Sequence, residues 1–209
     1  KQQLPDATHL QLAFISNGGG LSHGTATTMA QRIGEKAVIL ENGIFVKRPL
    51  GFKGMWLNAA GNKRFVMSLQ WGDISTAHHT TGIPNVEVFT GIQPKTYRLL
   101  KFQFLFNWLL RTKFICNIIQ QKINERPAGP SDEQRANGTT TVWGKVWNKK
   151  GQEKISVLQC ADGYSVTAWG CLLITQKIVK GEWKAGYQTP ASCYGKDLIL
   201  EIPKSKRIS

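Results

Sequence analysis

Two glycine-containing turns, each set between β-rich runs, limit what this chain can fold into more than any other feature. In "KAVILENGIFVKRP" the runs flank Asn42-Gly43, and in "GMWLNAAGNKRFVMSLQW" they flank Gly61-Asn62. Such dipeptides supply the positive-φ residues that a tight hairpin requires. A third hairpin joins "TTTVWGKVW" to "EKISVLQC" through Lys149-Lys150-Gly151. "THLQLAFIS" (Thr8–Ser16) alternates apolar and polar residues as a half-buried strand does, and "NVEVF" (Asn85–Phe89) and "DLILEI" read as further strands. Helices are expected over "TATTMAQRIG", ended by Gly34, and over Tyr164–Lys180, with an apolar stripe of Val166, Trp169, Leu173 and Val179. Residues 95–126 are also expected to be helical, in two segments meeting near Arg111, and "GPSDEQRANG" reads as a polar loop. Hairpins followed by helices, without repeated βαβ units, indicate an α+β domain on a largely antiparallel sheet.

A chain of 209 residues holds one domain or two small ones, and at this length about 70% of the unfolded surface is buried. Its 19% of charged residues against 41% hydrophobic ones excludes a disordered chain. The net charge of +14 favours anionic partners. The cations are spread from Lys47 and Arg48 to Lys206 and Arg207, so a solvated basic surface is preferred to a nucleic-acid face. Cys116, Cys160, Cys171 and Cys193 have no close-spaced pair and read as buried or semi-exposed free thiols of a cytoplasmic protein.

"WGDISTAHHTTGIPN", from Trp71 to Asn85, concentrates polar groups. Asp73 reads as the N-cap of a short helix over Ile74–Thr81, stopped by Gly82-Ile83-Pro84. His78 and His79 are adjacent and diverge by about 100° on a helix, so they cannot share a metal; a single histidine acid or base remains open. Four hydroxyls on two turns weaken a helix, so a tertiary or ligand contact is expected to hold it. "AFISNGGGLSHG" imitates a dinucleotide fingerprint, but the third glycine position is His23. His9 and Gln11 lie on one face of its strand, where a central parallel strand is apolar on both sides. Glu41, at the spacing of a ribose-binding acid, enters a hairpin instead of a crossover. What survives is a glycine-rich turn before a helix, where Gly20, Ser22 and Gly24 offer a weak anion or cofactor contact and Ser22 or Thr25 can cap.

The stretch "WGDISTAHHTTGIPNVEVF" resembles the saccharopine dehydrogenase-like NAD(P)-dependent oxidoreductases, the group that includes the trans-acting enoyl reductases. "GGGLSHGTA", "GPSDEQRANG", "ADGYSVTA" and "GEWKAGYQTPASCYGKDLILEI" continue the resemblance in the family's order, from about His9 to Ile202. The resemblance implies a largely antiparallel mixed sheet with helices mainly on one face, similar to the catalytic domain of glyceraldehyde-3-phosphate dehydrogenase-type folds. It implies that residues 1–209 are a single C-terminal substrate domain, with the family's N-terminal Rossmann domain absent from this chain. Carried over by motif, the family's polar positions are Ser22, Gly24 and Thr25, then Asp73, Thr76, Thr81 and Gly82, then Tyr164, and finally Gln188, Thr189 and Pro190. Asp73, His79 and Tyr164 are the acid–base candidates among them and their neighbours.

"TYRLLKFQFLFNWLLRTKFICNIIQQKI" is rich in Phe, Leu and Ile but interrupted by Lys101, Arg111, Lys113 and Lys122. These charges argue against a transmembrane span. Helices covered by a partner domain or a second copy are the first reading; a basic amphipathic pair on a membrane surface or over a lipid-like substrate is the second. The expectation is therefore the substrate domain of an NAD(P)-dependent oxidoreductase, inactive and cofactor-free alone, taking a small or lipid-like substrate and binding no metal and no nucleic acid. A stand-alone lipid- or membrane-binding module derived from such an enzyme is the alternative.

Overall fold

Asn42 and Gly43 both have positive φ, 51° and 79°, the geometry that matches the twist of two paired strands. β2 (Ala37–Glu41) and β3 (Ile44–Arg48) therefore pair antiparallel, with Glu41 opposite Ile44. The next hairpin turns one residue earlier than its sequence suggests. β4 (Gly54–Ala59) and β5 (Asn62–Ser68) pair with Ala59 opposite Asn62, so Ala60-Gly61 form the loop. Ala60 sits at φ 54°, a left-handed conformation that costs a residue with a Cβ about 1–2 kcal/mol. The Gly61 N–H donates to Asn58 Oδ1 at 2.8 Å. Asn58, not Asn62, supports the turn.

The computed structural model describes residues 1–18, 20, 22–31, 35–110 and 112–208. The expected helix stop at Gly34 and helix junction at Arg111 lie outside them. In chain order the remaining elements are β1 (His9–Asn17), α1 (His23–Gln31), α2 (Asp73–Thr81), β6 (Asn85–Gly91), α3 (Pro94–Lys101), a 3-10 turn (Gln103–Leu105), α4 (Asn107–Leu110) and α5 (Lys113–Asn124). They continue with α6 (Asp132–Asn137), β7 (Thr139–Trp147), β8 (Glu153–Ala161), α7 (Gly163–Val179), α8 (Pro190–Tyr194), a 3-10 turn (Leu198–Glu201) and β9 (Lys206–Arg207).

Among the described residues the nine strands form one sheet in the order β3-β2-β6-β1-β7-β8-β9. The far edge of β6 is shared, with Leu40 of β2 opposite Val86 and β5 opposite residues 89–91. Only β1 and β6 run parallel; the other pairings are antiparallel. The fold is α+β, as expected. Strand alternation separates two cores. Leu10, Val86 and Val88 face Ile74 and Ala77 of α2, with Leu4 and Ala7 beside them. Ala13, Ile15, Phe89 and Trp143 face the opposite way, against Leu57 and Val66 of the β4–β5 hairpin.

Several expected elements differ. "GPSDEQRANG" contains α6, opened by a capping box in which Ser131 Oγ accepts from the Gln134 N–H and Gln134 Oε1 from the Ser131 N–H; the S-x-x-Q spacing is its signal. "DLILEI" is a 3-10 turn, not a strand, because Leu198 and Ile202 are its buried residues and their spacing of four suits a coiled backbone. Residues 95–126 break into four helical pieces instead of two. On α7, Trp169 and Val179 are exposed, and the half-buried side runs through Val166, Gly170, Leu173 and Lys177. All four cysteines are free, but Cys116 and Cys171 lie exposed on the outer sides of α5 and α7. No helix among the described residues is long and apolar enough to cross a membrane.

Candidate functional site

Three chain segments converge where β1 ends, β7 begins and β8 ends. After Asn17 the chain turns at Gly18, whose φ of 79° suits glycine and whose missing Cβ would lie 3.9 Å from the Gly138 Cα. Gly138 in turn abuts Asp162, the N-cap of α7; a Cβ on Gly138 would stand 3.1 Å from the Asp162 Cβ. Asp162 is buried, and its Oδ1 accepts from the Tyr164 and Ser165 N–H groups at 3.0 and 3.3 Å. That cap fixes the first turn of α7 and sets the Tyr164 side chain over the start of α1.

The Tyr164 hydroxyl accepts from the Ser22 N–H at 2.7 Å and lies 3.4 Å from Thr25 Oγ1. Ser22 Oγ bonds Thr25 Oγ1 at 2.9 Å and accepts from the Thr25 N–H at 3.2 Å. The structure thus unites three of the sequence candidates, Ser22, Thr25 and Tyr164, over a separation of more than a hundred residues. Burial pushes the phenol up, but the bonds from Ser22 and Thr25 outweigh it and hold Tyr164 below its ordinary value. A phenol poised in this way, tied to the Thr25 hydroxyl and the Ser22 amide, can give up a proton and keep its oxyanion solvated by fixed donors.

The turn fits a phosphate cradle poorly. Ser22 N–H is committed to Tyr164, His23 N–H to the Ala128 carbonyl at 2.9 Å, Thr25 N–H to Ser22 Oγ, and Ala26 N–H to the Ser22 carbonyl at 2.9 Å. A Cβ at Gly20 or Gly24 would meet nothing within 4 Å, so neither glycine is demanded by close packing of this chain. Glu41, at the spacing of a ribose-binding acid, gives both carboxylate oxygens to Arg48 at 2.6 and 2.7 Å.

The other candidates gather around α2 and α8. Gly72, not Asp73, is the N-cap of α2, and no side chain caps it; Asp73 occupies the first helical position. Two of the hydroxyls on α2 are satisfied by the helix itself, Thr80 Oγ1 donating to the Thr76 carbonyl and Thr81 Oγ1 to the Ala77 carbonyl, both at 2.7 Å. The tertiary contact expected for this hydroxyl-rich helix falls on Thr80, outside the motif positions: its hydroxyl meets Thr189 Oγ1 at 2.8 Å. Thr189 also closes a capping box with Ser192, and Gln188 Oε1 accepts from Ser192 Oγ at 3.1 Å. Pro190 opens α8, and Gly82 ends α2 in the left-handed conformation with φ 67°.

His78 Nδ1 lies 2.8 Å from the Ile83 carbonyl, and His79 is exposed with its ring edge-on to Tyr187 at 4.8 Å. Among the described residues no three His, Cys, Asp or Glu side chains gather as a metal would require. No hydrogen bond among the described residues joins this group to the Tyr164 cluster. Two shallow clefts, of about 310 and 250 Å³, open near Gln11 and Lys145 and near Asn17 and Arg64. Neither contains a residue of the two groups. Asp162 belongs to the segment "ADGYSVTA" but is not among its motif positions; an aspartate two positions before Tyr164 at a helix start is the signal that identifies it.

No family model matches the chain, and no curated protein matches its sequence. The fold is nevertheless similar to that of a solved structure, the apo histidine-tagged saccharopine dehydrogenase (L-Glu forming) from Saccharomyces cerevisiae. The similarity has a TM-score of 0.56 at 9% identity and covers 98% of this chain and 68% of that one. The chain has a saccharopine dehydrogenase-like fold.

Proposed function

We propose that this chain is the substrate-side domain of an NAD(P)-dependent oxidoreductase of the saccharopine dehydrogenase-like kind, with the dinucleotide held by a Rossmann domain outside residues 1–209. The cofactor supplies a hydride when bound there. The committed amides around Ser22 support assigning the dinucleotide to another domain. The observation that carries the reading is the hydrogen-bonded cluster of Ser22, Thr25 and Tyr164, set within a fold shared with a dehydrogenase.

Tyr164 is the proton donor in this reading, preferred to Asp73 and His79 because its hydroxyl is held by the Ser22 N–H and the Thr25 hydroxyl from a distant part of the chain. Reduction of a carbonyl, imine or activated alkene places the hydride on carbon and leaves an electron pair on oxygen, nitrogen or the adjacent carbon. The phenol proton neutralises that pair, and the Ser22 N–H and Thr25 hydroxyl stabilise the phenolate left behind. Asp73, Thr76, Thr81, Gln188 and Thr189, grouped around α2 and α8, are assigned in this reading to contacts with a small-molecule or lipid-like substrate. The test is NADPH and NADH consumption by this chain joined to a family Rossmann domain, with carbonyl, imine and enoyl acceptors. Turnover is expected, and Tyr164→Phe should lower it by about a hundredfold or more with cofactor affinity unchanged. No turnover with any acceptor, or full turnover by the phenylalanine variant, rejects the reading.

A stand-alone lipid- or membrane-binding module derived from such an enzyme is the second reading, favoured by the exposed apolar residues of α3–α5. Turnover by the joined protein discriminates the two.

A further inference from the structure

From Leu99 to Phe114 the chain leaves large apolar side chains in solvent to a degree the rest of the fold does not explain. Leu99 is 73% exposed, Trp108 74% and Phe114 72%, and Phe102, Phe104 and Phe106 are each more than half exposed. Scattered apolar residues on a surface need no explanation, but a continuous run of them marks an interaction surface. The run is mounted at both ends. Tyr97 packs its ring 5.1 Å from Phe65, in a space left by Gly54, where a Cβ would stand 2.6 Å from the tyrosine ring. α5 packs on α1, with Gln120 donating to Thr27 at 3.2 Å.

The charges on this segment are of one sign. No aspartate or glutamate occurs between Glu87 and Glu125. Lys95, Arg98, Lys101 and Lys113 are all exposed. Along α3 and its C-cap Phe102, the positions Lys95, Arg98, Leu99 and Phe102 follow the i, i+3, i+4, i+7 spacing of one helix side, so cations and apolar groups share it. Opposite them Tyr97 and Leu100 are partly covered.

That combination decides the occupant. A symmetric contact between two copies would set the same patch against itself, cation against cation. A surface of anionic lipid satisfies both components, since Phe, Leu and Trp enter the headgroup–acyl boundary while Lys and Arg remain with the phosphates. The helical pieces are too short to cross a bilayer, which leaves lying in its plane. We propose that α3, α4 and the start of α5 form a docking face for anionic phospholipid surfaces. This inference is independent of the oxidoreductase reading and can stand or fall without it.

The test is co-sedimentation of the full chain, and of the chain joined to a Rossmann domain, with phosphatidylcholine vesicles with and without phosphatidylserine. Both proteins should bind the anionic vesicles, weakly or not at all the neutral ones, and should release as salt is raised. Lys95→Glu, Arg98→Glu and Lys101→Glu together should weaken binding by roughly a hundredfold or more, each cation near the surface being worth roughly fivefold. Phe104→Ser with Trp108→Ser should lower it by about tenfold or more at constant charge. These side chains are exposed, so unchanged circular dichroism and melting are expected; the salt titration of the unsubstituted chain gives an independent reading. Failure to bind anionic vesicles, or binding that both variants retain, overturns the proposal. So does self-association lost with the same substitutions in a chain that ignores vesicles. Binding by the isolated chain that disappears in the joined protein assigns the face to a domain interface and also overturns it.

Discussion

Asp73 sits in the first turn of α2 with its carboxyl pushed above the ordinary 3.8 by burial, an effect larger than the opposing bond to its own backbone N–H. Just above 3.8 an unfolded chain ionises at this position before the folded one does. Unfolding then releases protons, and the residue lowers stability as pH rises through that window. Asp73→Asn should therefore raise the thermal midpoint by a few degrees at neutral pH and leave it unchanged well below 3.8. Scanning calorimetry at both pH values checks this; an equal midpoint at neutral pH, or a gain that persists in acid, rejects burial as the dominant influence. The sequence shows an aspartate at the start of a helix but not whether it caps or follows the cap, because one residue of register separates the two. The same one-residue ambiguity hid Asn58 behind Asn62. Thr80 was illegible for another reason: its partner Thr189 is 109 residues away, and no local pattern announces a contact of that range.

At the scale of elements, what was legible depended on periodicity and turn chemistry. The Asn42-Gly43 hairpin, β1, β6, the β7–β8 hairpin and α7 are marked by alternation, positive-φ residues or length. The expectations that fell were those where six or so residues fit two periods, as in "DLILEI", or where a capping box was masked by loop-like composition, as in α6. α6 also supplies a separable prediction. A Cβ on Gly138 would stand 2.6 Å from the Gln134 carbonyl oxygen and 3.1 Å from the Asp162 Cβ. The first neighbour is backbone and cannot swing away. Gly138→Ala should cost about 1–3 kcal/mol and, by displacing the Asp162 cap, loosen Tyr164 from Ser22, returning its ionisation towards the ordinary tyrosine range. Ser131→Ala removes only the N-terminal cap of α6 and should cost about 1 kcal/mol without moving the tyrosine. Denaturant midpoints at constant slope measure the first effect and ultraviolet pH titration the second. Identical tyrosine titrations in the two variants would contradict the coupling of Gly138 to the site.

Taken whole, the molecule has the architecture that hairpin order implied, while its candidate residues divide between two places that linear order cannot bring together or hold apart. Ser22, Thr25 and Tyr164 meet because β1 and β8 flank β7 and end on the same side of the sheet. The same geometry argues about nucleotide affinity. Pyrophosphate recognition requires free, convergent N–H groups at a helix start, and ribose recognition requires an uncommitted acid or a spare cation beside it. In this chain Ser22, His23, Thr25 and Ala26 donate to internal acceptors, and Glu41 is held by Arg48. Binding there would have to break those bonds, at about 0.5–1.5 kcal/mol each for typical neutral pairs, before any new contact formed. Titration calorimetry of the isolated chain with NADPH and NADH should therefore give dissociation constants weaker than about 1 mM. After fusion to a Rossmann domain the constants should fall below that limit, and Tyr164→Phe should leave them unchanged. Micromolar binding by the isolated chain would locate a nucleotide site in the glycine-rich turn itself. Ser22→Ala, which frees the Thr25 amide from the Ser22 hydroxyl, and Tyr164→Phe, which frees the Ser22 amide, would then be the variants that tighten it.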